Sequence, residues 1–370
     1  MKNKKTLLLI IVSVILLSFA SMHVMSSCSK NSQPVFDDNI SYCHLRDKRY
    51  NSTGVCMRDG ILMYNEEMDQ TGRSRLMGLS TDGEKSYIIR KDDIFSMLFH
   101  FEYGYNNIGS VGNYIYYTST NYSIDCHRLH RYDISTRKDT PLYAFGMWDK
   151  FDYLADENGV YILVKILVKE NEKYTEKYSV KYCAASCSAC EDLFDFQCDG
   201  PFYLTSEKLY YINQNTLYSI DLRTGEYIPE TILEINAGAE ISEFSVYNGA
   251  VYINTGSSIL CYNDIAKDFE ALLEISHTGE IITFWIADNR IVYECKDTVT
   301  GQYSLSVYNI DSGIDSLILS KEKALYFDVY EDNILAAYIV RTDGKKWDKF
   351  FEIYDLNGKF ISNIDIDMGY

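Results

Sequence analysis

Residues 217–226 read Leu217-Tyr218-Ser219-Ile220-Asp221-Leu222-Arg223-Thr224-Gly225-Glu226. An alternating run ends at Asp221, a turn closes at Gly225, and a second run starts at Tyr227. Glycine reaches the left-handed backbone that tight turns need, so the stretch predicts a β-hairpin. Altered forms of the phrase recur along the chain. They include Met77-Gly78-Leu79-Ser80-Thr81-Asp82-Gly83-Glu84, Leu129-His130-Arg131-Tyr132-Asp133-Ile134 and Leu260-Cys261-Tyr262-Asn263-Asp264. Val307-Tyr308-Asn309-Ile310-Asp311-Ser312-Gly313 and Ile353-Tyr354-Asp355-Leu356-Asn357-Gly358 continue the series.

Upstream of each hairpin a polar pair opens a strongly apolar strand. These anchors begin at Asp59-Gly60, Gly112-Asn113, Asn158-Gly159, Ser206-Glu207-Lys208, Asn248-Gly249, Asp288-Asn289 and Asp332-Asn333. Their spacing of roughly 40–54 residues is that of four-stranded propeller blades. Seven such units predict an all-β, seven-bladed β-propeller of four-stranded antiparallel blades over 39–370. No 3.6-residue pattern supplies the helical crossovers that a parallel α/β fold requires. A lone blade cannot bury both of its faces; radial stacking does, which accounts for the nearly unbroken apolar run from Val160 to Val168. Residues 39–47 are expected to add a strand to the last blade and latch the ring.

Ile115-Tyr116-Tyr117-Thr118 resembles the YWTD signature of low-density-lipoprotein-receptor-type propellers, and the hairpin around Thr81-Asp82-Gly83 resembles its downstream partner. Over about 54–366 the chain is similar to an uncharacterised bacterial family of secreted or lipid-anchored propellers related to those repeats. The resemblance implies a fold and an interaction role, and it carries over no catalytic residue.

Composition agrees with a strand-rich protein. There are 33 Tyr and 4 Pro among 370 residues, and tyrosine favours strands with one wet edge. The net charge of −18 repels phosphate backbones, so nucleic acid is not an expected partner.

Lys2, Lys4 and Lys5 precede an apolar run from Leu7 to Ala20, the layout of a secretory leader forming a signal or anchor helix over 1–28. Three outcomes stay open: cleavage after Ala20, lipid attachment at Cys28 behind Met25-Ser26-Ser27, or an uncleaved anchor, since a span needs about 20 residues. Each puts the body outside the cytoplasm, held at the membrane through the leader or released. Residues 29–38 read as a polar tether.

Chemistry-bearing constellations are few. Cys183, Cys187 and Cys190 form C-x3-C-x2-C with Cys198 nearby, at the hairpin position of the third unit. The spacing resembles the cluster-binding loop of radical S-adenosylmethionine enzymes. An exported β-protein instead favours disulfides or thiols there, with a metal site as the weaker alternative. Cys43 and Cys56 are a candidate bridge that would pin the N-terminal segment; two buried thiols are the competing reading. In Cys126-His127-Arg128-Leu129-His130, strand alternation puts Cys126 and His130 on one face and His127 on the other, which makes no zinc site. No nucleophile elbow, metalloprotease motif or phosphate loop occurs, and no cofactor is expected.

Irregular segments at 91–107, 143–152 and 169–200 are the expected ligand-bearing loops. Phe101, Tyr103, Tyr105 and Trp148 are the ligand-face candidates, with Phe145 and Phe151 in the same segments; the competing reading is that these rings pack between blades. The function that follows is a surface-tethered, non-enzymatic binding or scaffold module for protein or glycan ligands. The alternative is a propeller enzyme acting on glycans as a hydrolase or lyase.

Overall fold

The computed structural model describes residues 42–45, 55–67, 74–91, 102–121, 126–146, 150–170, 173–205, 207–235, 240–263, 268–276, 278–322, 325–330, 332–342 and 346–366. These form seven antiparallel sheets, each built from four consecutive strands. Blades 1 to 7 cover 56–91, 102–146, 150–196, 202–234, 243–274, 279–321 and 325–366. The first strands of neighbouring blades touch one another, so these edges line the axis and the fourth strands lie outermost. The fold is a seven-bladed β-propeller.

The anchor dipeptides are the turns between first and second strands. Asp59 and Gly60 have φ of 49° and 67°, Asn248 and Gly249 have 49° and 79°, and Asp288 and Asn289 have 45° and 55°. Paired positive φ values are the signature of two-residue hairpin turns, and Asn, Asp and Gly tolerate them best. The aspartate closing the third strand has a separate task. Asp133 Oδ1 accepts from the backbone N–H of Ser135 at 2.9 Å and of Thr136 at 3.1 Å. Asp221 does the same for Arg223 at 2.8 Å, and Asp355 for Asn357 and Lys359 at 2.9 Å each. The recurrent Asp is therefore a side-chain cap for turn amides that would otherwise lack a partner.

Strand alternation divides each blade between two neighbours. In Ile61–Glu67 of blade 1, Ile61 and Met63 join a core with Ile108, Ile115 and Tyr117 of blade 2. Leu62 and Tyr64 point the other way, into a core with Leu335, Ala337, Phe351 and Ile353 of blade 7. Seven such clusters occur among the described residues, one for each blade–blade interface. Leu62 and Met63, adjacent in sequence, are both 0% exposed. Burying such a side chain is worth about 1.5–3 kcal/mol, so a two-sided strand gathers roughly twice the driving force of a half-exposed one.

In every blade the ladder between third and fourth strands shifts register near its middle, as at Leu76/Met77, Leu129/His130 and Ile353/Tyr354. The corresponding shifts in blades 3 to 6 fall at Val180/Lys181, Leu217/Tyr218, Ile259/Leu260 and Leu305/Ser306. Bulges increase local twist and turn the outer edge away from pairing with another sheet.

The expected latch is not where the sequence suggested. Tyr42–Leu45 pairs antiparallel with Tyr153–Asp156 at the axial edge of blade 3, adding a fifth strand there. Blade 7 is complete from 325–366 alone, and the ring closes by side-chain packing between blades 7 and 1. A hydrogen bond from Tyr330 Oη to Val55 O, 2.7 Å, crosses the same seam. The leader, with its expected helix, and the tether lie outside the described residues. Among the described residues no helix is long and apolar enough to cross a membrane.

Phe351, 1% exposed in the closing interface, gives a direct test of this seam. Phe351→Ala is expected to lower global stability by about 3–5 kcal/mol in urea titrations. An equivalent truncation of the exposed Phe360 (51%) should change it by less than about 0.5 kcal/mol.

Candidate functional site

A cleft of about 450 Å³ opens between the outer parts of blades 3 and 4. Its walls come from Glu191–Phe196, the fourth strand of blade 3, and Lys208–Asn213, the second strand of blade 4. Tyr227 and Pro229 contribute from the segment that follows the Asp221 turn. Alternation along Phe194-Asp195-Phe196 puts both rings on the same face of the strand. Here both rings find aromatic partners: Phe194 stacks on Tyr227 with centroids 4.6 Å apart, and Phe196 meets Tyr211 at 4.9 Å. Tyr211 in turn stacks on Tyr218 at 5.3 Å. Burial pushes the Tyr211 phenol above its ordinary pKa, so it is a neutral hydroxyl at neutral pH. Lys177, Asp195, Gln197 and Asn213 supply an ammonium, a carboxylate and two amides to the same lining. Flat rings beside polar side chains suit a ligand with one apolar face and an edge of hydrogen-bonding groups.

A second constellation lies between blades 1 and 2. Ser119, His130 and Asp139 stand on three adjacent strands of blade 2. Ser119 Oγ is 2.9 Å from His130 Nε2, and His130 Nδ1 is 3.0 Å from Asp139 Oδ2. This is the connectivity of a nucleophile–base–acid relay. Its surroundings, however, hold it as a strut. Ser119 and His130 are 5% and 4% exposed. The Tyr117 ring stacks on His130 at 4.9 Å with 4° between planes, and its hydroxyl donates to Asp139 Oδ1 at 2.8 Å. Arg90 of blade 1 pairs with Asp139 at 3.2 Å and donates to the Tyr117 hydroxyl. Burial works to raise the Asp139 carboxyl, but the hydrogen bond from His130 and the Arg90 charge outweigh it and hold it below the usual carboxylate range. From the sequence, His130 reads only as a residue that shares a face with Cys126 and makes no zinc site. Its partners are 11 residues before it and 9 after it, one strand away on either side, and no short motif links them.

The cysteine cluster forms the turn between third and fourth strands of blade 3, the place the repeat alignment predicts. Cys183, Cys187, Cys190 and Cys198 are all free thiols. Among the described residues no group of three or more His, Cys, Asp or Glu side chains is arranged to hold a metal ion. Cys198 donates to Gly200 O at 2.8 Å, and burial pushes its thiol up to about 12. Cys56 is buried in blade 1, while Cys43 sits in the strand added to blade 3, whose side chains lie outside those described.

Of the ligand-face candidates, Phe101 and Trp148 lie outside the described residues. Tyr103 and Tyr105 fall on the first strand of blade 2, Glu102–Val111, with side chains likewise outside. Phe145 and Phe151 are not exposed loop aromatics. They are 3% and 8% exposed and pack 4.1 Å apart in the core between blades 2 and 3. Most of 143–152 and 169–200 is strand, because the two strands Gly159–Glu170 and Lys173–Ala184 extend the hairpin of blade 3 beyond the others. His127 reaches the same core: its Nδ1 lies 3.1 Å from Thr120 Oγ1 and its ring sits near Phe145.

Solved structures resembling the chain share its fold at low identity. Puromycin hydrolase superposes with a TM-score of 0.55 at 12% identity, over 88% of this chain and 56% of its own. An uncharacterized protein from Listeria monocytogenes gives 0.52 at 11%, over 90% and 97% of the two chains. The propeller domain of the trilobed protease from Pyrococcus furiosus, described as having an open velcro topology, gives 0.52 at 11%, over 82% and 96%. The chain thus spans about half the length of puromycin hydrolase, and nearly all of the last two. No protein-family model matches the chain, and no curated protein matches it in sequence. At such identities the likeness shows the fold alone.

The strut makes a pH-dependent prediction. Because the folded Asp139 carboxyl is lowered, its contribution is complete above the unfolded aspartate value of about 3.9 and is lost as pH falls through the lower folded value. Asp139→Asn is expected to lower stability at neutral pH by roughly 1–3 kcal/mol and to flatten the acid limb. Urea midpoints measured between about pH 5 and pH 2 read both effects.

Proposed function

We propose that the protein is a non-enzymatic binding module, held outside the cytoplasm by its leader, whose cleft between blades 3 and 4 takes a glycan or an aromatic-rich peptide segment. The observation that carries this reading is the stacked pair Phe194–Tyr227 on the wall of a 450 Å³ cleft whose lining also offers Lys177, Asp195, Gln197 and Asn213. A sugar ring has an apolar face for stacking and hydroxyls for the amides and the carboxylate, so a glycan is the better chemical match. Kinship with YWTD-type repeats belongs to the same reading and rests on the signature at Ile115-Tyr116-Tyr117-Thr118. Lipid attachment at Cys28 would tether the ring at the membrane surface, with 29–38 as the spacer.

A second reading, a hydrolytic propeller, is favoured by the Ser119–His130–Asp139 chain. It ranks below the first because Ser119 is only 5% exposed and its histidine is clamped by stacking. A fluorophosphonate probe separates the two: labelling of Ser119, lost in Ser119→Ala, would establish the hydrolase, and none is expected.

Titration of the protein with cell-wall oligosaccharides and tyrosine-containing peptides, followed by calorimetry, tests the binding reading. Tyr227→Ala is expected to weaken binding roughly tenfold, about 1.4 kcal/mol, with the fold unchanged by circular dichroism. Equal affinity in the variant would move the site elsewhere on the ring.

A further inference from the structure

The turn of blade 3 has a chemical capacity that is independent of the ligand reading. Its third and fourth strands, Lys173–Ala184 and Glu191–Phe196, end their ladder at the pair Tyr182↔Glu191. One step further along the same register, Cys183 stands opposite Cys190. Directly opposed residues in an antiparallel pair have Cα atoms about 4.5–5.5 Å apart, inside the range of about 4.4–6.8 Å that a disulfide spans. The two thiols are close enough that each shifts the acidity of the other. The other two cysteines of the cluster are placed differently. Cys187 is exposed in the turn, and its carbonyl rather than its sulfur faces inward, accepting from Arg131 at 2.9 Å. Cys198 packs on the opposite side of the blade, in the core shared with blade 4, whereas Cys183 and Cys190 belong to the core shared with blade 2.

We propose that Cys183 and Cys190 are a redox pair that closes into a cross-strand disulfide by exchange with a low-molecular-weight disulfide, leaving Cys187 and Cys198 as thiols. One protein thiolate attacks a sulfur of the reagent, breaks its S–S bond and releases one thiolate, which takes up a proton. The second protein thiol gives up its proton and attacks the mixed disulfide, releasing the second reagent thiol. The cysteine pair loses two electrons and two protons, and the reagent gains both.

The surroundings make Cys183 the more acidic thiol of the pair, although its side chain is 0% exposed. The neighbouring Cys190 thiol lowers the Cys183 thiol to about 7, against the effect of burial, and the nearby Arg131 guanidinium adds to the lowering. Arg131 is fixed by hydrogen bonds to Ala184 O at 3.1 Å and Cys187 O at 2.9 Å, so the positive charge stays with the loop. Cys183 in turn raises the Cys190 thiol, which makes it the protonated partner. Cys190 is half-buried and also reaches Leu142 O of blade 2 at 3.6 Å. Closure therefore fastens the turn at the interface between blades 2 and 3.

The test treats the full-length protein with glutathione disulfide, unfolds it in the presence of N-ethylmaleimide and maps the peptide 182–208, which carries all four cysteines of the cluster. The expected product has Cys187 and Cys198 alkylated and Cys183 joined to Cys190. The same bond should form in Cys187→Ser, and Cys190→Ala should instead leave Cys183 trapped as its glutathione adduct, because no second thiol resolves it. In the wild-type protein, four alkylated cysteines, a stable glutathione adduct, or a bond that includes Cys187 or Cys198 would overturn the proposal. The wild-type map alone decides the pairing, should a variant fail to fold.

Discussion

A four-stranded sheet with two apolar faces cannot be soluble alone, and every other feature of this ring follows from that constraint. Successive residues on a strand point to opposite faces, so a run such as Ile61-Leu62-Met63-Tyr64 serves two interfaces at once. Each blade is stable because its neighbours are, and stability becomes a property of the closed set. Two charged side chains that enter these interfaces take partners from the next blade. Arg58 of blade 1 donates to Ser110 Oγ at 3.0 Å and Gly112 O at 2.7 Å of blade 2. Glu243 of blade 5 accepts from Thr283 Oγ1 at 2.9 Å and the Phe284 amide at 3.1 Å of blade 6. An unmatched charge in either place would carry its full desolvation penalty.

Local chemistry is what made the architecture readable. The turn dipeptides Asp59-Gly60, Asn248-Gly249 and Asp288-Asn289 advertise positive φ, and the aspartates at 133, 221 and 355 advertise capped turns. Both signals are contained within a few residues, so they survive without any knowledge of the fold. Blade number followed from counting them. The N-terminal strand was misplaced because edge pairing depends on which open edge a segment can reach, and the first strand of blade 3 carries no local mark of being that edge.

The candidate sites were less legible for the same reason. Phe145 and Phe151 look like loop aromatics in one dimension and are core residues in three, since the strands of blades 2 and 3 run further than the turn residues suggest. Tyr227 and Phe194 are 33 positions apart and become a stacked pair only once blades 3 and 4 are adjacent. The Ser119–His130–Asp139 chain is likewise a product of strand register. The cysteine turn was the exception: its spacing was visible at once, and only the ladder showed which two of the four residues face each other.

The seam between blades 7 and 1 has a consequence for the topology of the polypeptide. Among the described residues no strand is exchanged across it, and it is sealed by side chains of the same kind that seal the other six interfaces. The four consecutive strands of every blade thus form a contiguous module, to which blade 3 adds Tyr42–Leu45, and the ring has approximate rotational equivalence in how its modules are joined. Joining the present ends and reopening the chain at another inter-blade connector would give a circular permutant with the same interfaces. In such a molecule the order of modules around the circle is the conserved quantity, and the position of the first one is a matter of genetic history.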